Sequence, residues 1–182
     1  DLIQRQLAYE AAHDGEASEV AKWLTDHGGH IDALDDQKIT LLMAAAQGGK
    51  EAVVRMLMQR SASVDLQDQD GSTALMLAAS EGYTAVVQAL LEAGADTALF
   101  DQNCETAETI AMSRGKLAVA QLFRQHAEEQ TERAEARARA AGEVLLAELA
   151  EEAARAAAPG KSKAKAKAKT KGKARAQGAA AT

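Results

Sequence analysis

The stretch Asp68–Asp101, DQDGSTALMLAASEGYTAVVQALLEAGADTALFD, holds two short helical patterns back to back. From Thr73 the run TALMLAA is apolar and small, as a helix packed closely between neighbours requires. Gly82 breaks it, after which Val86, Val87, Leu90 and Leu91 recur at helical spacing. Gly94 falls where a helix C-cap is expected, and Asp70-Gly71 has turn chemistry. One such unit cannot bury its own apolar faces, so its meaning depends on whether it recurs.

It recurs at a period of 33 residues. In the preceding copy, from Asp35, Thr40 stands for Thr73, Gly49 for Gly82, Val53 and Val54 for Val86 and Val87, and Leu57 for Leu90. Downstream, Thr106, Gly115, Leu117, Val119 and Phe123 keep the frame more loosely. Upstream, Ala11, Ala12, Gly15, Val20 and Leu24 fit if one extra residue is allowed near Gly28-Gly29. A fixed period of this length predicts an all-α solenoid of stacked helix-turn-helix units. Residues 1–126 form that domain, with repeats at about 5–36, 37–68, 69–101 and 102–126. The first is expected to be a capping repeat with a polar outer face, its helical stripe beginning at Leu2, Ile3 and Leu7 and Trp23 at a helix contact.

Asp-x-x-Gly-x-Thr before the first helix, Ala-Ala-x-x-Gly after it, then Val-Val-x-x-Leu-Leu and Gly94-Ala95-Asp96 together resemble the ankyrin repeat over roughly residues 5–126. The family's Thr-Pro-Leu-His reads TLLM at 40–43, TALM at 73–76 and TAET at 106–109, lacking the proline and the histidine of the inter-repeat network. Each threonine can still cap its helix, with Met43 and Met76 supplying packing in place of the cross-repeat polar bonds. The resemblance implies a non-catalytic scaffold that binds a protein partner along a concave groove of turn tips and inner-helix edges. Carried onto this sequence, the groove positions are Asp36, Gln37, Ile39 and Gln47 in the second repeat. The third gives Gln69, Asp70, Ser72, Ser80 and Glu81, with Phe100 on the next finger. The fourth gives Gln102, Asn103, Glu105 and Arg114. Phe100 and Arg114 are the expected anchors, because aromatic and arginine side chains dominate interface energetics; the plainer reading has Phe100 packing against the following turn.

Composition agrees with thin, closely packed helices: the apolar fraction is 47%, swollen by alanine, and aromatics are 3%. Charge is segregated. Lys161, Lys163, Lys165, Lys167, Lys169, Lys171, Lys173 and Arg175 stand in a tail without acids, leaving 13 basic against 27 acidic residues before it. The tail, within 159–182, has nothing to build a core and is expected to be disordered. Its charges suit a polyanion, RNA or DNA, bound without base recognition because no aromatic residue is available to stack. The bland alternative is a solubilising tail, or one folded over the acidic body.

Between the repeats and the tail, residues 127–158 are rich in Ala, Glu and Arg. Glu129–Arg133, Glu135–Arg139 and Glu151–Arg155 are i,i+4 pairs in the favourable order, so a long solvated helix is expected, stopped by Pro159-Gly160 and weakest at Gly142. Its apolar cluster, Val144, Leu145, Leu146 and Leu149, is too short for a coiled-coil seam and reads as a cap for the array, a partner-helix site or an incidental patch.

No convergent set of polar groups suggests catalysis, so no catalytic residue, metal or cofactor is expected. Cys104 takes the turn position of Gly71. His27 and His30, with Asp26 and Asp32 nearby, read as a polar loop before a metal site, and His13 and His126 as solvated. A single cysteine fits a reducing compartment, cytoplasmic or nuclear. No apolar run reaches the ~18 residues of a membrane span, no signal peptide is visible, and a monomer is expected. The sequence starts at Asp1 without a methionine, as a piece of a longer protein would, and catalysis elsewhere in such a protein is the third reading.

Overall fold

The computed structural model describes residues 2–26 and 30–157. Helices α1 (Leu2–Asp14), α2 (Ala17–Asp26), α3 (Leu41–Gln47), α4 (Glu51–Gln59), α5 (Ala74–Glu81), α6 (Thr84–Glu92), α7 (Ala107–Ser113) and α8 (Leu117–Ala157) follow in order, with no strand among the described residues. The chain divides into two units, Asp1–Glu132 and Arg133–Thr182.

In the first unit the inner helices α1, α3, α5 and α7 pack in series, and the outer helices α2, α4 and α6 form a second row behind them. Inner helices α3, α5 and α7 are short because chemistry starts and stops each at the same place. Thr40, Thr73 and Thr106 are extended N-caps whose hydroxyls accept from the backbone N–H three residues on. Gly49, Gly82 and Gly115 then take φ of 69°, 88° and 70°, a left-handed turn that glycine enters without penalty. Paired alanines, Ala11-Ala12, Ala45-Ala46 and Ala78-Ala79, are buried where helix meets helix and allow the close approach. Behind them, Val20, Val53, Val54, Leu57, Val86, Val87, Leu90 and Val119 are fully buried in one continuous core. Leu57 and Leu90, the marker pair of the period, occupy matching seats on α4 and α6. Burying a leucine stabilises by roughly 1.5–3 kcal/mol; each is covered only because a neighbouring unit is present.

Two expectations need correction. Ile3 and Leu7 do not form a buried stripe: they are 75% and 50% exposed, while Ala8, Tyr9, Ala11 and Ala12 face the core. The exposed face of α1 is therefore mixed, with Ile3 and Leu7 among the polar Gln4, Gln6, Glu10, His13 and Asp14. Met43 and Met76 also do more than pack. The backbone N–H of Thr40 donates to the Met43 sulfur at 3.4 Å, and that of Thr73 to the Met76 sulfur at 3.5 Å. Each methionine so closes a reciprocal cap at a buried helix start.

Helix α8 begins as the outer helix of the last repeat, with Val119 and Phe123 in the core, and continues unbroken to Ala157. Residues 127–156 are exposed. Within the second unit Arg139 pairs with Glu135 at 3.4 Å and Arg155 with Glu151 at 3.6 Å. Val144, Leu145, Leu146 and Leu149 are each more than half exposed. The lysine-rich tail expected to be disordered lies outside the described residues. No helix among the described residues is long and apolar enough to cross a membrane.

Candidate protein-binding surface

The second, third and fourth repeats each begin with a finger-like turn, and an aspartate organises it. Asp35 accepts from the N–H groups of Gln37 and Ile39, both at 2.8 Å. Asp68 accepts from Asp70 at 2.9 Å and Ser72 at 2.8 Å, and Asp101 from Asn103 at 2.8 Å and Glu105 at 2.9 Å. The Glu105 N–H, helped by Asn103 and opposed by slight desolvation, holds the Asp101 carboxyl below the usual carboxylate range. One oxygen thus fixes two amides and the tip projects outward. Between them the turn needs a left-handed residue. Gly71 supplies it at φ 79°, while Lys38 and Cys104 adopt 60° at the equivalent places. Cys104 is exposed, as a turn residue at that position would be.

The fingers are tied to one another. The Gln69 N–H donates to the Gln37 carbonyl at 3.1 Å, and the Gln102 N–H to the Asp70 carbonyl at 2.9 Å. The Gln69 carboxamide donates to the Asp36 carbonyl and the Gln102 carboxamide to the Gln69 carbonyl. Gln67 bridges further, donating to Gly71 O at 2.7 Å and Phe100 O at 2.9 Å. Cross-repeat polar bonds therefore exist without the family's histidine, carried by glutamines at the tips. On the far side of the finger, Asp32 accepts from the Ser63 N–H and hydroxyl, and Asp65 from the Asp96 N–H. Arg55 of α4 reaches Glu92 of α6 at 3.3 Å.

The expected groove residues fall into three groups. Asp36, Gln37, Gln69, Asp70, Gln102 and Asn103 are exposed along the finger tips, with Phe100 beside them at 59% exposure. Gln47, Glu81 and Arg114 are exposed at inner-helix ends. Ile39, Ser72, Ser80 and Glu105 are only partly accessible: Ile39 packs on the core and the Ser80 hydroxyl donates to Leu77 O. Phe100 is more than half exposed, and its carbonyl accepts from the Gln67 carboxamide. Two of the expected contact residues, Gln69 and Gln102, spend their carboxamides on the finger ladder. Asp35, Asp68 and Asp101 were not among the expected site residues, although their recurrence at the full period was a visible signal.

At the first finger, the side chain of Asp36 meets Arg5 of α1 at 3.4 Å. Nearby the Tyr9 hydroxyl donates to Ala33 O at 2.5 Å, and burial, reinforced by the Asp35 charge and opposed by Arg5, pushes the phenol up to about 12. Asp32, next to the histidine loop, is committed to Ser63, and among the described residues no group of three or more His, Cys, Asp or Glu gathers as metal ligands would. His27, Gly28 and Gly29 lie outside the described residues, as do Lys161–Lys173 and Arg175 of the expected polyanion-binding tail.

A family model described as ankyrin repeats (3 copies) matches residues 8–101. No curated protein matches the chain.

Proposed function

The chain belongs to the ankyrin repeat family, whose arrays are generally protein–protein interaction modules and typically non-catalytic, and from that premise we propose that this one binds a protein partner along its row of finger tips. The observation that carries the reading is the ladder joining Gln37, Gln69, Asp70 and Gln102. It fixes the spacing of the tips before any partner arrives, which lowers the ordering cost of binding. On that frame Phe100 offers a large apolar contact, and Asp36, Asp70 and Asn103 offer polar ones. Arg114 extends the row at the end of α7. The mechanism is display on a rigid frame, with specificity set by side chains the fold does not use.

The test is affinity capture with the full chain, repeated with Phe100→Ala and Asp70→Lys. Both residues are exposed, so the urea midpoint should stay within ~0.5 kcal/mol of the parent. Partners that bind the proposed row are lost from both variants. Partners retained by every variant of the row would overturn the reading.

A second reading rests on the sequence of the tail. Eight basic residues from Lys161 to Arg175, without an acid among them, suit RNA or DNA held through its phosphates while the fingers recruit a protein. Mobility shift across salt concentration, with and without residues 161–182, separates the two. Failure of the intact chain to give salt-sensitive binding removes the second.

A further inference from the structure

Past the last repeat, α8 is built almost wholly from alanine and charged residues, with one interruption. Val144, Leu145, Leu146 and Leu149 are its large apolar side chains there, and they are 52–68% exposed. Helical spacing gathers three of them. Leu145 and Leu149 stand four residues apart and Leu146 and Leu149 three, so the trio shares one face, with Gly142 a turn before it and Ala153 a turn after. Nothing lies within 4 Å of where a Gly142 side chain would begin, so a neighbour's side chain has room to settle there.

The charges around the trio have one sign. From Glu143 to Glu152 the chain carries four glutamates and no lysine or arginine, all exposed. Glu148 follows Leu145 by three residues and Glu152 follows Leu149 by three, which puts both along one edge of the face. Glu143 precedes Leu146 by three, at the other edge. The arginines on either side are engaged elsewhere, Arg139 with Glu135 at 3.4 Å and Arg155 with Glu151 at 3.6 Å.

We propose that this face docks a cationic amphipathic helix of another protein. The partner's apolar stripe lies on Leu145, Leu146 and Leu149, and its lysines or arginines meet Glu143, Glu148 and Glu152. Charge selects this occupant over the others. Two copies of the chain can join their leucine trios only by bringing four glutamates from each together, and like charges repel. The lysine-rich tail has the right charge but no large apolar side chain to lie on the leucines. The site belongs to the second unit and is separate from the finger row of the first. The contact is small, so binding is weak, and its charged edge makes it sensitive to salt.

The experiment titrates the full chain into a labelled synthetic amphipathic helix of leucine and lysine, followed by fluorescence anisotropy. Binding is expected with a Kd of about 10–100 µM at low salt, weakening as salt rises. The double variant Leu145→Glu, Leu149→Glu adds negative charge and still weakens binding at least ~tenfold. Both leucines are exposed and glutamate is a good helix former, so the circular dichroism of the variant should match the parent. Glu148→Lys with Glu152→Lys weakens binding as well, and a matching helix of leucine and glutamate does not bind. No binding up to about 1 mM overturns the proposal. So does equal binding by the leucine variant, which would reduce the contact to charge alone, or equal binding of the glutamate helix. Self-association of the chain that Leu145→Glu abolishes, seen by sedimentation, would assign the face to a second copy instead.

Discussion

A methyl group added to Gly48 would stand 2.0 Å from the His13 carbonyl oxygen, a backbone atom that cannot swing aside. Gly94 is constrained for another reason: nothing lies within 4 Å of its would-be side chain, but its φ is 85°. The two glycines should therefore answer the same substitutions differently. Gly48→Ala should cost ~1–3 kcal/mol through overpacking, and Gly48→Asn no less, because both carry the offending carbon. Gly94→Ala should cost ~1 kcal/mol and Gly94→Asn less, because asparagine enters the left-handed region more readily. Urea midpoints of the four variants check this; equal Ala and Asn costs at Gly94 would remove the conformational account. Tyr9 gives a second prediction at this scale. Its phenol is pushed up to about 12, so folding favours the protonated form. That contribution is complete below the ordinary tyrosine value of about 10 and is lost as pH rises from there to about 12. Absorbance of the phenolate should show one ionisation delayed into that window with stability falling across it, and Tyr9→Phe should abolish the delayed component.

Among the elements, the finger turns depend on one acceptor each. Removing the Asp68 carboxylate leaves the Asp70 and Ser72 N–H groups without their partner, so Asp68→Ala should cost ~1–2 kcal/mol. Asp68→Asn keeps a carbonyl oxygen in place and should cost less. Amide exchange at Asp70 and Ser72 should quicken in the alanine variant first; unchanged exchange there would show that the turn stands without the carboxylate. What could be read beforehand follows from the same contrast between local and distant causes. Thr40, Thr73 and Thr106 each act on an amide three residues away, so their caps were legible. The period itself placed Leu57 and Leu90 in matching seats. The glutamine ladder was not legible, because Gln69 and Asp36 are adjacent only once the repeats have stacked. The exposure of Leu7 escaped for a related reason. Its apolar character matches the buried Leu41, Ala74 and Ala107 at the same position of α3, α5 and α7, and burial is decided by what packs there, which the residue type does not reveal. The methionine caps escaped because a thioether in a helix-start pattern reads as packing.

For the first unit as a whole, the energetics of a linear stack make the position of a defect matter as much as its size. Leu90 is fully buried in a repeat with neighbours on both sides, while Phe123 lies in the last repeat, 5% exposed. Judged by side-chain volume alone, Phe123→Ala should cost ~3–5 kcal/mol and Leu90→Ala ~2–5 kcal/mol. In an array each repeat contacts only its neighbours, so a terminal repeat can open while the rest stays folded. The cost of damage there is capped at that repeat's own stability. Leu90→Ala has no such escape, because opening the third repeat severs the fourth from the second. The order should therefore invert: Leu90→Ala lowers the main urea transition more than Phe123→Ala does. Hydrogen exchange should then show Phe123→Ala speeding amides only in α7 and the first turns of α8, with α3 to α6 protected as before. A Phe123→Ala chain whose α3 to α6 amides exchange as fast as those of Leu90→Ala would mean that the repeats fold as one indivisible block. The distinction reaches the proposed binding surface, since Gln102, Asn103 and Glu105 stand on the finger of the terminal repeat while Asp70 belongs to the protected middle. A partner gripping both fingers should accordingly suppress exchange in α7 as well as at its direct contacts, closing the end that the free chain leaves free to open.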